Sequence, residues 1–167
     1  MHKGLGIALM LACLPVQMVM MSEPVSAQTA SDQKAIADRL FNQGNQLYGV
    51  SKYQEALQSW EQALTIYRVI KDRQGEGNAL GNLGSTYYSL GKYEKAIEFY
   101  LQQLAITKEI KDRLGEGNAL GGLGIAYRAL GKYEKAIEFY LQQLAITKEI
   151  KDRLGEGAAI GNLGLAY

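Results

Sequence analysis

The feature that most constrains the fold is a repeat with a period of 40 residues. Residues 91–130 recur almost letter for letter from Gly131 to Tyr167, and a looser copy occupies residues 51–90. A fixed period of about 20–50 residues is typical of arrays in which each repeat packs against its neighbours. The sequence therefore predicts that residues 40 positions apart occupy equivalent places.

Each copy contains two helical patterns and no sustained strand pattern. Apolar residues between Tyr53 and Tyr67 recur at i, i+3, i+4 and i+7, which is the spacing of an amphipathic helix. The Gly-rich helix of each repeat is named helix A and the other helix B. We expect helix A at about 73–90, at 113–130 and from 153 onward, and helix B at about 92–111 and 132–151.

Residues that favour helix ends lie at the expected boundaries. An Asp, the first being Asp72, precedes each helix A from the second copy onward, where its carboxylate can accept backbone N–H bonds. Gly91 and Gly131 follow helix A, where a left-handed residue is wanted. Ser51 takes that place in the first copy and predicts a less favourable turn. The first helix is expected to begin at Ser31 or Asp32.

A spaced set of residues in the second copy resembles the tetratricopeptide repeat (TPR) pattern, and the third copy repeats it. The set is Leu80, Leu83, Gly84, Tyr87, Gly91, Tyr93, Ala96, Ile97 and Tyr100. The period of 40 instead of about 34, and the absence of Pro after helix B, make these copies similar to the extended repeats of LGN/Pins-type adaptors. They are less similar to the repeats of kinesin light chains.

The resemblance implies an all-α fold, a right-handed α-solenoid of stacked antiparallel helix pairs. One hairpin buries too little apolar surface to offset its ordering entropy, so the copies must stack. The predicted organisation is a signal peptide (1–27), a short lead-in (28–34), TPR 1 (35–72), TPR 2 (73–112), TPR 3 (113–152) and the first helix of a truncated TPR 4 (153–167).

The first 27 residues are predicted to be a secretory leader. A basic start, an apolar run and the small residues Val25-Ser26-Ala27 form the usual pattern before a cleavage site. Two alternatives stay open. An uncleaved membrane anchor is interrupted by Pro15 and Gln17, and a lipoprotein signal would use Cys13. We expect export to the periplasm or the extracellular space, with no membrane contact beyond the leader.

Composition excludes several kinds of chemistry. The single Cys and the single His lie within the first 13 residues, so the exported chain would contain neither. Ser/His and Cys/His catalysis and Cys- or His-ligated metal sites are then excluded, and we expect no cofactor and no enzymatic activity. Lys and Arg number 18 against 17 Asp and Glu, interleaved along the chain, which argues against nucleic-acid binding.

Three further residue classes are expected to be structural. The glycines of GEGNALG, as in residues 75–81, lack the spacing and the lysine of a phosphate loop and are expected to let helices A and B approach closely. The tyrosines at helical spacing, including Tyr93 and Tyr133, are expected in the core. The carboxylates of helix B, such as Glu94 and Glu98, are expected on a solvated face.

Differences between the copies concentrate on one stripe of helix A. In repeats of this kind, that face lines a concave groove that holds a partner peptide, and Asn side chains there can bind both N–H and C=O of an extended backbone. Drift on a face with little packing duty explains the differences equally well. The predicted groove residues are Asn42, Asn45, Asn78, Asn82, Ser85, Ser89, Asn118, Gly122, Ile125, Arg128 and Asn162.

These observations favour a non-enzymatic scaffold or adaptor that binds a protein or peptide in the groove. Arg128 is nearly alone as a basic residue near the stripe, which argues against recognition of acidic tails. An alternative is the sensor or docking region of a longer enzyme, such as a caspase-like peptidase, whose catalytic domain follows residue 167. A third is a structural spacer. Because the sequence stops within a helix A, we expect an N-terminal part of a longer protein with 153–167 poorly ordered.

Overall fold

The computed structural model describes the backbone of residues 25–167 and the side chains from residue 29 onward. This part of the chain forms seven helices and no strand. They are α1 (Val25–Gly49), α2 (Tyr53–Ile70), α3 (Arg73–Ser89), α4 (Tyr93–Glu109), α5 (Arg113–Ala129), α6 (Tyr133–Glu149) and α7 (Arg153–Gly164). The predicted leader, except for its last three residues, lies outside the described residues.

The first helix starts earlier than the sequence predicts. α1 begins at Val25, whereas we expected a start at Ser31 or Asp32. Residues 25–30 contain neither Gly nor Pro, so nothing in them stops a helix from extending towards the N-terminus. The presence of a good capping residue therefore did not define this boundary.

The turns from helix A to helix B use a left-handed residue, as predicted. Gly91 and Gly131 have φ of +72° and +71°, and Ser51 has φ of +60°. The turns from helix B to helix A also contain a left-handed residue. In these turns it is a lysine, which the sequence did not predict. Lys71 and Lys111 have φ of +58° and +59°. Each of these turns is short, so consecutive helices are antiparallel.

The predicted Asp caps are confirmed. Asp72 and Asp112 each accept a hydrogen bond from the backbone N–H three residues later, at 2.9 Å. Asp152 does the same at 3.0 Å and starts α7. We expected residues 153–167 to be poorly ordered, but Arg153–Gly164 form a helix, because this cap satisfies its first turn and α6 buries Ala159.

Contacts between the helices define the curvature of the stack. Each helix packs against the one before it and the one after it, and the A helices α1, α3, α5 and α7 also contact one another in sequence. Within the described part of the chain, no such contact joins one B helix to the next. The A helices therefore line the inner, concave side, and the predicted solenoid of antiparallel helix pairs is confirmed.

The core repeats with the period of the sequence. Trp60, Tyr100 and Tyr140 lie 40 residues apart and are 2%, 7% and 0% exposed. Each ring lies where a Cβ would stand on a glycine of the preceding helix A; for Gly84 the distance to the Tyr100 ring is only 2.7 Å. The glycines therefore allow close helix approach, as expected.

Tyr133 is a correction to the predicted core, because its side chain is 50% exposed. In the second copy, the equivalent Tyr93 packs against the ring of Tyr88, with ring centroids 5.4 Å apart. In the third copy, Arg128 replaces that tyrosine, so Tyr133 has no ring to pack against.

Within the described residues, no helix is long and apolar enough to cross a membrane.

Candidate functional site

The concave side of the stack holds an open cavity of about 490 Å³. It lies across the A helices α3, α5 and α7 and includes one ring from α1, Phe41. Seven of the eleven predicted groove residues line it. They are Asn78, Asn82, Ser85, Asn118, Gly122, Ile125 and Asn162.

Residues of the B helices form the floor of the groove, which the sequence did not predict. Tyr100, Gln103 and Gln143 line the cavity although they belong to α4 and α6. They reach it because the facing residues of helix A are glycines. A Cβ on Gly121 would lie 2.7 Å from the Gln143 amide nitrogen. A signal was available in the sequence, since a Gln recurs at a core position of helix B wherever helix A carries Gly in GEGNALG.

The first half of the groove is bound together by its own polar side chains. The Asn82 side-chain nitrogen donates to the Asn45 side-chain oxygen Oδ1 at 2.9 Å, which links α3 to α1. The Ser85 hydroxyl lies 3.1 Å from the Tyr100 hydroxyl. Ser89 donates to the Ser85 backbone carbonyl at 3.0 Å and lies 3.1 Å from the Tyr48 hydroxyl. Part of the predicted stripe therefore holds neighbouring repeats together.

The second half of the groove has fewer internal partners. Ile125 replaces the serine of the second copy, and the hydroxyl of Tyr140 is buried with no hydrogen-bond partner among the described residues. Burial raises the pKa of the Tyr140 phenol, although the positive charge of Arg128 opposes the shift. The Gln143 side-chain oxygen is also buried and unpartnered within the described part of the chain. This oxygen is an acceptor at the floor of the cavity.

A close contact explains the glycine in the middle of the groove. A Cβ on Gly122 would lie 2.6 Å from the Tyr100 ring, so a side chain fits here only if that ring moves. Within the described residues, Asn118 and Asn162 make no side-chain hydrogen bond. Their amides are free to bind another molecule.

No charged side chain lines the main cavity. Charged residues lie instead near the entry of helix A. Glu76 is 5% exposed and accepts a hydrogen bond from the Arg68 Nε at 2.9 Å. A smaller cavity of about 300 Å³ beside the main one is lined by Lys34, Asp38 and Asp72 among others. The main groove therefore offers amides, hydroxyls and apolar surface.

Four predicted groove residues lie outside the main cavity. Asn42 lines the smaller charged cavity, and Asn45 lines a third cavity of about 250 Å³ next to Trp60. Ser89 is exposed near the end of α3, and Arg128 is half-buried near the end of α5.

The described residues contain no group of three or more His, Cys, Asp or Glu side chains that would hold a metal ion.

Two family models match the chain, and both describe tetratricopeptide repeats. One matches residues 35–109 and the other residues 119–154, which together span about two-thirds of the sequence. With the repeat period and the stacked helix pairs, these matches show the family. The chain belongs to the tetratricopeptide repeat proteins. No curated protein matched it.

Solved structures of other TPR proteins have the same fold as this chain. The TPR domain of Arabidopsis FLU is 27% identical with a TM-score of 0.67, over 70% of this chain and 98% of that one. A Signal Transduction ATPase with Numerous Domains from Pyrococcus horikoshii, which has a tetratricopeptide repeat sensor, is 26% identical with a TM-score of 0.76. That match covers 84% of this chain and 22% of that one. The apo form of RapI, at 20% identity and a TM-score of 0.77, shares the fold, over 85% of this chain and 53% of that one.

This chain shares the architecture of TPR domains such as those of FLU and of Sgt2 from Aspergillus fumigatus. The fold and the family matches therefore define the class of protein as a tetratricopeptide repeat solenoid. The extended LGN/Pins-type variant inferred from the period stays a prediction.

Proposed function

We propose that the concave groove binds an extended, uncharged segment of a partner protein. The observation that carries the proposal is the lining of the main cavity, which combines the unpaired amides of Asn118 and Asn162 with apolar surface and no charge. Carboxamides supply both donors and acceptors, so they suit the alternating N–H and C=O groups of an extended backbone. The cavity is also of the size of ordinary ligand sites, about 300–1,000 Å³.

The floor of the groove further restricts which extended, uncharged segments bind. The surface of Ile125 and Tyr100 along this floor is apolar. A charged side chain would lose its hydration without finding an opposite charge. The partner segment is therefore expected to be neutral where it crosses α5.

The experiment uses a displayed library of random ten-residue peptides, selected on the full chain. Enriched peptides are expected to be poor in charge and to bind with little dependence on salt. The double variant Asn78→Ala, Asn118→Ala removes two exposed amides and should weaken binding at least tenfold, with thermal stability retained because Ala favours a helix more than Asn. Affinity is measured by fluorescence anisotropy.

The matched control is Gln142→Ala, which removes an exposed amide from α6 outside the groove. This variant should bind the selected peptides as tightly as the parent chain. Equal affinity of the Asn78→Ala, Asn118→Ala variant and the parent would contradict the groove assignment. Enrichment of acidic peptides with strongly salt-dependent binding would contradict the proposed chemistry.

A second candidate is the sensor segment of a larger enzyme. The observation that favours it is the similarity to a P. horikoshii protein whose repeats are described as a sensor. In this case the same groove would regulate a catalytic domain after Tyr167, for example a caspase-like peptidase. The coding sequence that follows Tyr167 separates the two candidates, since further repeats favour the scaffold and a Cys- and His-bearing domain favours the sensor. In either case we propose that the protein acts after export.

A further inference from the structure

The concave side of the stack becomes less polar from α1 to α5. Two positions that line its cavities can be compared between repeats, because residues 40 apart are equivalent. In the order α1, α3 and α5, they are Lys34, Gln74 and Leu114 at one position, and Asn45, Ser85 and Ile125 at the other. At both, a polar side chain of α1 is replaced by an aliphatic one in α5. The two ends of the groove therefore differ in chemistry.

Hydrogen bonds show the change at the first position. The Lys34 ammonium donates to the Asp cap of α3, and one repeat later the Gln74 Nε2 donates to the Asp cap of α5 at 3.0 Å. Leu114 cannot donate, and among the described residues no side chain bonds to Asp152, the cap of α7. The Leu114 side chain is 53% exposed. An aliphatic side chain therefore meets solvent where the earlier repeats have a polar bridge.

Charge distinguishes the α1 end. The smaller cavity beside the main one is lined by two carboxylates, Asp38 and Asp72, and by one ammonium, Lys34. Asp38 accepts a hydrogen bond from the Tyr67 hydroxyl at 2.8 Å, and its side chain is 47% exposed. The equivalent residue of α3, Asn78, is neutral. This end therefore has an excess of one negative charge and a half-exposed carboxylate.

The α5 end offers hydrocarbon instead. Ile125 lines the main cavity, in which no side chain is charged. Its equivalent Ser85 lies 3.1 Å from the Tyr100 hydroxyl, a contact that Ile125 cannot replace. A cation here would lose hydration without meeting an opposite charge, whereas an aliphatic side chain gains free energy by leaving water. The two ends therefore favour opposite kinds of side chain.

We propose that the groove binds its partner segment in one orientation, with a Lys or Arg side chain at α1 and an aliphatic side chain at α5. This inference rests on the proposed function, because it names side chains of the segment that the same groove would hold. The cation lies beside Asp38, in the smaller cavity, so the part of the segment within the main cavity remains uncharged.

The stack sets the spacing of these two side chains. Packed helices lie about 8–10 Å apart, so α1 and α5, which are separated by one other A helix, are roughly 20 Å apart. An extended backbone rises about 3.3 Å per residue, so the basic and the aliphatic residue are expected about six residues apart. This spacing fits within a ten-residue peptide.

The test uses the ten-residue peptides selected on the full chain. Most enriched sequences are expected to contain a Lys or Arg about six residues from a Leu, Ile or Val. The most enriched peptide is then synthesised in two further forms, with Gln for its basic residue or Ser for its aliphatic residue. Fluorescence anisotropy should show affinity losses of about threefold to fivefold for the Gln form and about tenfold or more for the Ser form.

Two substitutions at the α1 end should have opposite effects on the preference for the basic peptide over its Gln form. Asp38→Asn introduces the residue of α3 and removes the excess negative charge, so the ratio of the two affinities should fall to about one. Its amide oxygen can still accept from the Tyr67 hydroxyl. Lys34→Gln, also the residue of α3, removes a positive charge, so the ratio should rise about twofold or more.

The matched changes at the other end are Leu114→Gln and Ile125→Ser, which also introduce residues of α3. Together they should remove most of the preference for the aliphatic peptide over its Ser form and leave the preference for the basic residue unchanged. Thermal unfolding confirms that the array is intact. If Ile125→Ser unfolds the chain, Leu114→Gln alone should still reduce the preference, because this residue is exposed.

The possible failures separate this inference from the proposed function. Peptides that lose affinity in the Asn78→Ala, Asn118→Ala variant but lack the basic and aliphatic pair would overturn the orientation and leave the proposed function standing. Preferences unchanged by Asp38→Asn and by Leu114→Gln with Ile125→Ser would place the two side chains elsewhere and overturn the inference. The absence of any saturable peptide binding would overturn both.

Discussion

At the scale of single residues, the chain reverses direction through left-handed positions. Gly91 and Gly131 adopt this conformation readily, whereas Ser51 adopts it at a cost of about 1–2 kcal/mol. A glycine loses more backbone entropy on folding, by about 0.5–1 kcal/mol. The balance still favours glycine at this position.

Ser51→Gly is therefore expected to stabilise the protein by about 0.5–1 kcal/mol in the free energy of unfolding. Gly91→Ser is the matched reverse change and should destabilise it by a similar amount. A Cβ on Gly91 meets no atom within 4 Å, so the cost is conformational only. Urea unfolding measures both, and a destabilising Ser51→Gly would show that the serine side chain makes a compensating interaction.

The sequence predicted the glycine turns but not the left-handed lysines. Gly after a helix is a specific signal, because it tolerates positive φ without strain. Lys71 and Lys111 carry no such signal, since their side chains neither favour the conformation nor bond to the turn. Their φ follows from the short connection to an Asp-capped helix, which depends on how the two helices pack.

At the scale of the helix, α5 shows what its glycines do. Its Gly124 faces the fully buried ring of Tyr140 and leaves no space for a methyl group. Gly117, on the same helix, lies at an ordinary contact distance from α6. The two positions share a helix and a neighbour but differ in how close that neighbour is.

Gly124→Ala is expected to destabilise the protein by about 1–2 kcal/mol, because an overpacking cost of about 1–3 kcal/mol exceeds the gain in helix propensity. Gly117→Ala should be neutral or stabilise by up to about 1 kcal/mol. Thermal and urea unfolding compare the two variants. Equal effects would mean that the A and B helices move apart easily, contrary to the packing described.

Prediction of the groove from the sequence was partial for a reason at this scale. Comparing copies of helix A identified its concave stripe, and seven of the eleven residues line the main cavity. The floor was missed because the periodicity of a single helix cannot show that Gln143 reaches past Gly121. The Tyr140 hydroxyl lacks the partner that Ser85 gives Tyr100 because Ile125 replaces that serine, and this consequence appears only in three dimensions.

At the scale of the whole molecule, the same ion pair joins helix A to helix B in two successive repeats. Arg73 lowers the pKa of Glu109 and Arg113 lowers that of Glu149, in both cases chiefly by a hydrogen bond. Burial alone would raise the pKa of Asp72, but hydrogen bonds from the Gly75 N–H and Lys34 bring it below its usual value. These carboxylates stabilise the array while ionised.

Stability should therefore be lost as the pH falls. A carboxylate with a lowered pKa stabilises the fold above its unfolded pKa of about 4 and loses that contribution as the pH drops towards the lower, folded value. We expect a nearly constant Tm from pH 7 to about 5 and a decline below about 4. The double variant Glu109→Gln, Glu149→Gln should show a shallower decline. Identical profiles for variant and parent would show that the exposed pairs contribute nothing.

The solenoid itself was predictable from the sequence because one signal, the period of 40, agrees with the helix patterns and the caps in every copy. The start of α1 was not predictable, since nothing in residues 25–30 marks where the helix should begin. Tyr133 was misjudged because its burial depends on the residue five positions earlier, at the end of the neighbouring helix.

Helices α4 and α6 have identical sequences and pack in the same way against the glycines of the A helix that precedes each of them. An additional 40-residue unit placed between them would meet, at both of its ends, surfaces that already exist in the molecule. The number of units is therefore not limited by any interface of the array. A gene encoding such a chain can change the reach of the protein by unequal recombination alone, with every junction already compatible.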